Sequence, residues 1–209
     1  MTDHAWDDGE WTVLPTHVEF DIGDMLVTAA KGTDAWRETA HGYTTDSAHA
    51  LLAPLADGEA IEVDFVADLT EQFDQAGLML RADELHWIKA GMEYADGIFQ
   101  LGAVVTRVTS DWSSSPAAEW AGREVTMNAS RAGNAVVVRA RVADEAFRTI
   151  RVAWIDPELD FRAGPYLAAP TRSGLTVRFT GWRTLAADSV VHPDGLPDDG
   201  TVASGTMEP

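Results

Sequence analysis

Arg81, Trp87, Lys89 and Glu93 fall within one stretch, "DQAGLMLRADELHWIKAGMEYADG", running from Asp74 to Gly97. On either side of the polar turn "ADELH" the residues alternate as they would on two paired strands. Successive side chains on a strand point to opposite sides. One face then carries Gln75, Gly77, Met79 and Arg81, continued across the turn by Trp87, Lys89, Gly91 and Glu93, while Ala76, Leu78 and Leu80 belong to the core. A flat indole flanked by charge-assisted donors and a carboxylate suits a sugar ring, whose apolar side stacks while its hydroxyls take hydrogen bonds. The two glycines would leave room for a ligand close to the backbone. A solvated sheet face with a Lys89–Glu93 or Arg81–Glu93 ion pair fits the same spacing.

Two further clusters hold residue types of this kind. In "VVTRVTSDWSSSP" a strand runs into Ser110, Asp111 and Trp112, and in "TDAWRETAHGYTTDS" Trp36, Arg37, His41 and Tyr43 lie close together. The first also fits a plain turn, and Trp36 also fits a core plug. Glu93 and Asp111 are the candidate catalytic pair if the protein hydrolyses glycosides, which in a retaining enzyme needs carboxyl groups about 5–5.5 Å apart. Lys89 and Arg81 nearby would hold such carboxylates ionised, which opposes a general acid with a raised pKa. The six histidines show neither HxH nor HExxH spacing, so no metal or other cofactor is expected. Phosphate-cradling glycine loops before a helix and the G-x-S-x-G elbow are absent from the sequence.

The elements that must position these side chains are strands. Short period-two runs such as "AIEVDFVADL", "IFQLGAVVTRVTS", "EVTMNASRA", "AVVVRARVA" and "LTVRFTGWRTLA" are separated by turn signals such as "ADG", "RAGN" and "TRSG". The pattern predicts an all-β, two-sheet antiparallel jelly-roll sandwich of ten to fourteen strands. Only "DSAHALLAPL" reads as a short turn or helix. Trp6 and Trp11 mark an N-terminal arm packed on the body. Residues 1–189 form a single domain in this reading, and 190–209 an acidic, Pro/Gly-rich tail.

With 15 Lys and Arg against 34 Asp and Glu, a net charge of −19 repels phosphate backbones and anionic lipid surfaces. Nucleic acid and membrane partners are therefore not expected. Zero cysteines and no signal-like N-terminus point to a cytoplasmic protein.

Four blocks, "WRETAHGY" (36–43), "FDQAGLMLRADELHWIKAGME" (73–93), "VVTRVTSDWS" (104–113) and "GPYLAAP" (164–170), resemble the regulation-of-enolase protein family, a domain of unknown function. The resemblance implies the concanavalin A-like lectin/glucanase fold, with ligands bound on a concave face. Laminarinase-like enzymes of that fold carry two Glu around an Asp on one strand. "EVDFVAD" is similar in Glu62 and Asp64 but has Ala67 at the place of the acid/base, so Glu62 and Asp64 are expected on a solvated strand face. The expected function is a binding module for a carbohydrate or sugar metabolite, using Trp36, Gln75, Arg81, Trp87, Lys89, Glu93, Asp111, Trp112 and Tyr166. Trp87 and Trp112 would stack, while Glu93 and Asp111 would accept hydrogen bonds. The alternatives are a glycosidase or other sugar-active enzyme, and a protein-interaction regulator of sugar metabolism with a protein partner.

Overall fold

The computed structural model of the chain describes residues 1–188, so the expected tail lies outside the described residues. Seventeen strands follow in order, beginning with β1 (Thr2–Asp3), β2 (Glu10–Trp11), β3 (His17–Asp21), β4 (Asp24–Thr28), β5 (Ala35–Arg37) and β6 (Thr44–Asp46). Next come β7 (His49–Leu55), β8 (Glu59–Ala67), β9 (Gln75–Arg81), β10 (His86–Ala95), β11 (Ile98–Arg107) and β12 (Thr109–Pro116). After a short 3₁₀ turn at Ala118–Trp120 the chain ends in β13 (Val125–Ala132), β14 (Ala135–Val142), β15 (Arg148–Trp154), β16 (Phe161–Ala168) and β17 (Thr176–Ala186). The count exceeds the expected fourteen because short pairs such as β1, β2 and the β5–β6 ribbon carry too few residues for a visible alternation. No helix among the described residues is long and apolar enough to cross a membrane.

Two large antiparallel sheets pack face to face. One runs β15-β14-β13-β8-β17-β4-β3, with β1 added on β17, and the other β12-β11-β10-β9-β16-β7-β2. Between them lie the apolar alternates of each strand: Ile61, Val63 and Phe65 from β8, Leu78 and Leu80 from β9, Ile88 and Met92 from β10, and Val125 and Met127 from β13. Each is almost wholly buried, which is the main force holding the sheets together. Trp6 and Trp11 of the arm pack against this core as expected.

Turn chemistry fixes the registers. The ten-residue strands β10 and β11 close at Asp96 and Gly97, both at positive φ (55° and 84°), the requirement of a tight two-residue hairpin. The opening stretch folds as read, with Trp87 opposite Arg81 and Glu93 opposite Gln75 across β9 and β10. One expectation is corrected: "HALLAPL" is the strand β7, buried at every residue but Pro54. Leu51, Ala53 and Leu55 are buried between the two sheets and Ala50 and Leu52 in a smaller core on the opposite face, so the strand reads as a continuous apolar run instead of an alternation. His49 on this strand is wholly buried and takes a hydrogen bond from the Ala30 amide at Nε2 (3.0 Å), with Nδ1 3.0 Å from the Val13 carbonyl. Burial pushes its pKa down, although the Val13 contact opposes this, and the ring stays neutral.

Candidate functional site

The seven-stranded sheet turns its second face, the one away from the core, toward the β5–β6 ribbon. Alternation puts Gln75, Gly77, Met79 and Arg81 of β9 on that face, with Trp87, Lys89, Gly91 and Glu93 of β10 beside them. From β11 and β12 come Val104, paired with both Lys89 and Trp112, and from β16 comes Tyr166, opposite Gly77. The ribbon lies across part of this surface and is fastened at both ends. Arg81 holds Asp46 of β6 with two hydrogen bonds of 2.6 and 2.7 Å. Arg37 of β5 donates from Nε to the Val108 carbonyl (2.9 Å), and its amide donates to the Ser110 hydroxyl (3.0 Å). Trp36 is buried beneath it in a second, smaller core with Trp87, Met79, Val104 and Tyr166.

Beside the ribbon a cavity of about 310 Å³ opens, lined by Asp34, Trp36, His41, Tyr43, Phe73, Gln75, Lys89, Glu93, Val104 and Trp112. Its floor is polar and tightly bonded. Lys89 Nζ donates to Asp34 Oδ1 at 2.6 Å and to Gln75 Oε1 at 2.8 Å, and Gln75 Nε2 donates to Asp34 Oδ1 at 3.0 Å. Asp34 Oδ1 also accepts from the Ala35 amide (2.8 Å), which fixes the carboxylate at the start of β5. The ammonium thus keeps one of its three donors free for a ligand. Glu93 has no hydrogen-bond partner among the described residues. Burial pushes its pKa from an ordinary value near 4.5 up to about 7; Lys89 pulls it down, and Asp34 and Asp96 add to the rise. Tyr166, wholly buried below, has a phenol pushed well above its usual range, first by burial and then by Glu93 and Asp34.

The rim is aromatic. Tyr43, Phe73 and Trp112 are 48%, 40% and 45% exposed, and His41 stacks on Tyr43 with ring centres 5.8 Å apart. Backbone strain gathers here as well. Of the seven non-glycine residues at positive φ among the described residues, Glu38 and Ala40 shape the ribbon's loop, Phe73 lines the cavity, and Val108 anchors Arg37. A β-branched residue at φ 69° is unusual, and Val108 is held there by its own amide bond to the Leu85 carbonyl (2.8 Å).

The structure therefore brings together Trp36, Gln75, Lys89, Glu93 and Trp112 of the expected set, with Tyr166 beneath them in an adjoining recess over Gly91 and Gly102. It sets the others apart. Trp87 is 1% exposed and forms the floor of the smaller core, so no ligand can stack on it. Arg81 is occupied by Asp46 and serves the ribbon. Asp111 pairs in the ladder with Val105, one position along from Trp112, and so points to the other side of the sheet, where it meets Arg151 of β15 at 2.7 Å. Glu93 and Asp111 thus lie on opposite faces and cannot act as one pair. The second carboxylate of the cavity is Asp34, which the sequence reading missed along with Phe73 and Val104.

Three further expectations are corrected. The Lys89 charge does not keep Glu93 readily ionised, because Asp34 takes that charge at 2.6 Å and burial outweighs what remains. Gly77 and Gly91 are required first for backbone approach, a Cβ on Gly91 standing 2.1 Å from the Ala76 carbonyl oxygen and one on Gly77 2.2 Å from that of Ala90, although Gly91 also lines the adjoining recess. Glu62 and Asp64 do sit on the outer face of the other sheet, but Glu62 is 6% exposed and bound by Arg183 at 2.6 Å, with Asp64 accepting from Thr126 at 2.6 Å. Among the described residues no cluster of three or more His, Asp or Glu side chains is placed to hold a metal ion.

Comparison with known proteins places this architecture. The yeast protein "Regulation of enolase protein 1" of Saccharomyces cerevisiae is 31% identical over 180 residues, 85% of this chain and 89% of that protein. A crystal structure of a functionally unknown protein from the same yeast superposes with a TM-score of 0.83 at 29% identity, over 88% of this chain and 98% of that one. A xylan β-1,4-xylosidase from Bacillus halodurans gives a TM-score of 0.66 at 13% identity over 88% of this chain. The match spans only 39% of the xylosidase chain and is a likeness of fold. A family model described as "Protein of unknown function (DUF1349)" matches residues 11–186, and the chain belongs to that family.

Proposed function

We propose that the cavity binds a saccharide or sugar-derived metabolite and that the protein acts by holding it. The observation that carries this is the pairing of a fixed polar floor with exposed aromatic faces at one opening: Asp34, Lys89, Gln75 and Glu93 below, Trp112, Tyr43 and Phe73 around. Hydroxyls of a ring would meet the free Lys89 donor and the Glu93 carboxyl, while its apolar side would lie on Trp112. The name of the yeast relative supports a place in sugar metabolism, and the lack of cysteine supports a reducing compartment such as the cytoplasm.

Calorimetric titration with a panel of mono- and oligosaccharides tests the reading. A saturable heat whose affinity falls about fivefold or more on Trp112→Ala is expected, since aromatic stacking contributes about 1 kcal/mol and Trp112 is half-exposed, so its loss spares the fold. Absence of binding by any sugar to cooperatively folded protein overturns the reading and favours a protein partner. Glu93 also gives a hydrolytic reading a foothold, because a carboxyl at about 7 beside a second acid, Asp34, can deliver a proton near neutrality. Release of nitrophenol from aryl glycosides by the wild type, abolished by Glu93→Gln, would establish it.

A further inference from the structure

We infer that the cavity selects a ligand carrying a positively charged amine, of which an amino sugar is the simplest form, with the ammonium at Glu93 and the ring on Trp112. The inference rests on the saccharide reading and adds the charge of the ligand to it. Its ground is the uneven charge of the lining. Two carboxylates, Asp34 and Glu93, face one cation, Lys89, which is already engaged by Asp34 at 2.6 Å and Gln75 at 2.8 Å. The nearby guanidinium groups are turned elsewhere, Arg37 to the Val108 carbonyl and Arg81 to Asp46. A phosphate or a sugar acid would find no free arginine and two acids. An ammonium would find an unpartnered carboxyl.

The rim supports the same sign. The faces of Tyr43, Phe73 and Trp112, all about half-exposed, carry the negative side of the ring quadrupole and attract cations. Charged or titratable groups facing Glu93 are Lys89 on its own strand, Asp34 before β5, Asp96 in the following turn, His41 and Tyr43 of the ribbon and Tyr166 below. An arriving ammonium supplies the counter-charge that Asp34 withholds from Glu93 by engaging Lys89. Glu93, half-protonated near pH 7 in the free protein, then ionises and its proton leaves to solvent. Asp34, Lys89 and Gln75 keep their bonds.

The test is calorimetry at pH 7 with glucosamine, glucose, glucose 6-phosphate and ethanolamine, each in two buffers of different ionisation enthalpy. Glucosamine is expected to bind roughly tenfold or more tighter than glucose, as a charge-assisted hydrogen bond implies, with net proton release and with no binding of the phosphate. Glu93→Gln, near-identical in shape, should bring glucosamine to the affinity of glucose and abolish the proton release, its melting curve confirming the fold. Equal affinity for glucose and glucosamine, a preference for the phosphate, or a preference that survives Glu93→Gln overturns the inference and leaves the saccharide reading standing. Ethanolamine binding that depends on Glu93 while no sugar binds upholds the amine and overturns the saccharide. Failure of all four to bind overturns the inference, and the saccharide reading falls with it only if the wider panel of mono- and oligosaccharides fails as well.

Discussion

Glu93 is the side chain whose state the fold changes most. An acid raised from about 4.5 to about 7 binds its proton more tightly in the folded protein than in the unfolded chain. Over that window the folded state therefore holds more protons, so stability falls as pH rises through it, and above about 7 the ionised form is a standing cost of up to ~3 kcal/mol. Glu93→Gln removes the titration. Thermal melts should show the variant more stable than the wild type at pH 8 and nearly equal to it at pH 4. A variant that melts lower at pH 8 would mean that the ionised carboxylate is favoured by its surroundings. Trp87 and Trp112 show how one residue type divides between roles: Trp87 fills a core and Trp112 faces the cavity, though both belong to the same sheet face.

Among the elements, the β5–β6 ribbon decides which part of the concave sheet is open. It has only three residue pairs of its own, Ala35–Asp46, Trp36–Thr45 and Arg37–Thr44, and is too short to stand alone. Its position depends on Arg81–Asp46 at one side and Arg37 with Val108 and Ser110 at the other. Asp46→Ala should cost the whole fold little, about 1 kcal/mol or less for a partly exposed pair. Hydrogen exchange at residues 35–37 and 44–46 should accelerate several-fold nonetheless, because local opening no longer has to break the paired guanidinium bonds. Unchanged exchange would show that the buried Trp36 alone holds the ribbon. The β9–β10 pair is bound by a different rule: glycine faces glycine at Gly77 and Gly91 so that two backbones can approach, and Tyr166 from β16 lies opposite Gly77.

At the scale of the molecule, charge is the dominant long-range feature. With 34 acids against 15 Lys and Arg, carboxylates outnumber the basic groups by nineteen, and the mutual repulsion of this excess opposes compaction. Raising a simple chloride salt from about 0.01 M to about 0.5 M shortens the screening length from about 30 Å to under 10 Å. The melting temperature should rise by several degrees, even though the surface ion pairs weaken in the same range. A fall on adding salt would mean that pairs such as Arg81–Asp46 outweigh the net repulsion. The same field disfavours anionic ligands on approach to the cavity.

Alternation determined by itself the all-β class, the two-sheet arrangement and the face shared by Gln75, Lys89 and Glu93, because side chains on a strand must alternate whatever the strand packs against. The resemblance of four blocks fixed the family. What lay over that face required the tertiary structure. Nothing in the spacing of "TDAWRETAHGYTTDS" shows that it crosses the sheet, buries Trp87 and delivers Asp34 to Lys89, since those contacts join residues 55 positions apart. Asp111 and Trp112 are neighbours in sequence, and only the pairing of β12 with β11 shows which of them shares a side with Glu93. Burial, which sets the protonation of Glu93, is likewise a sum over every segment packed around it and has no local signal in the chain.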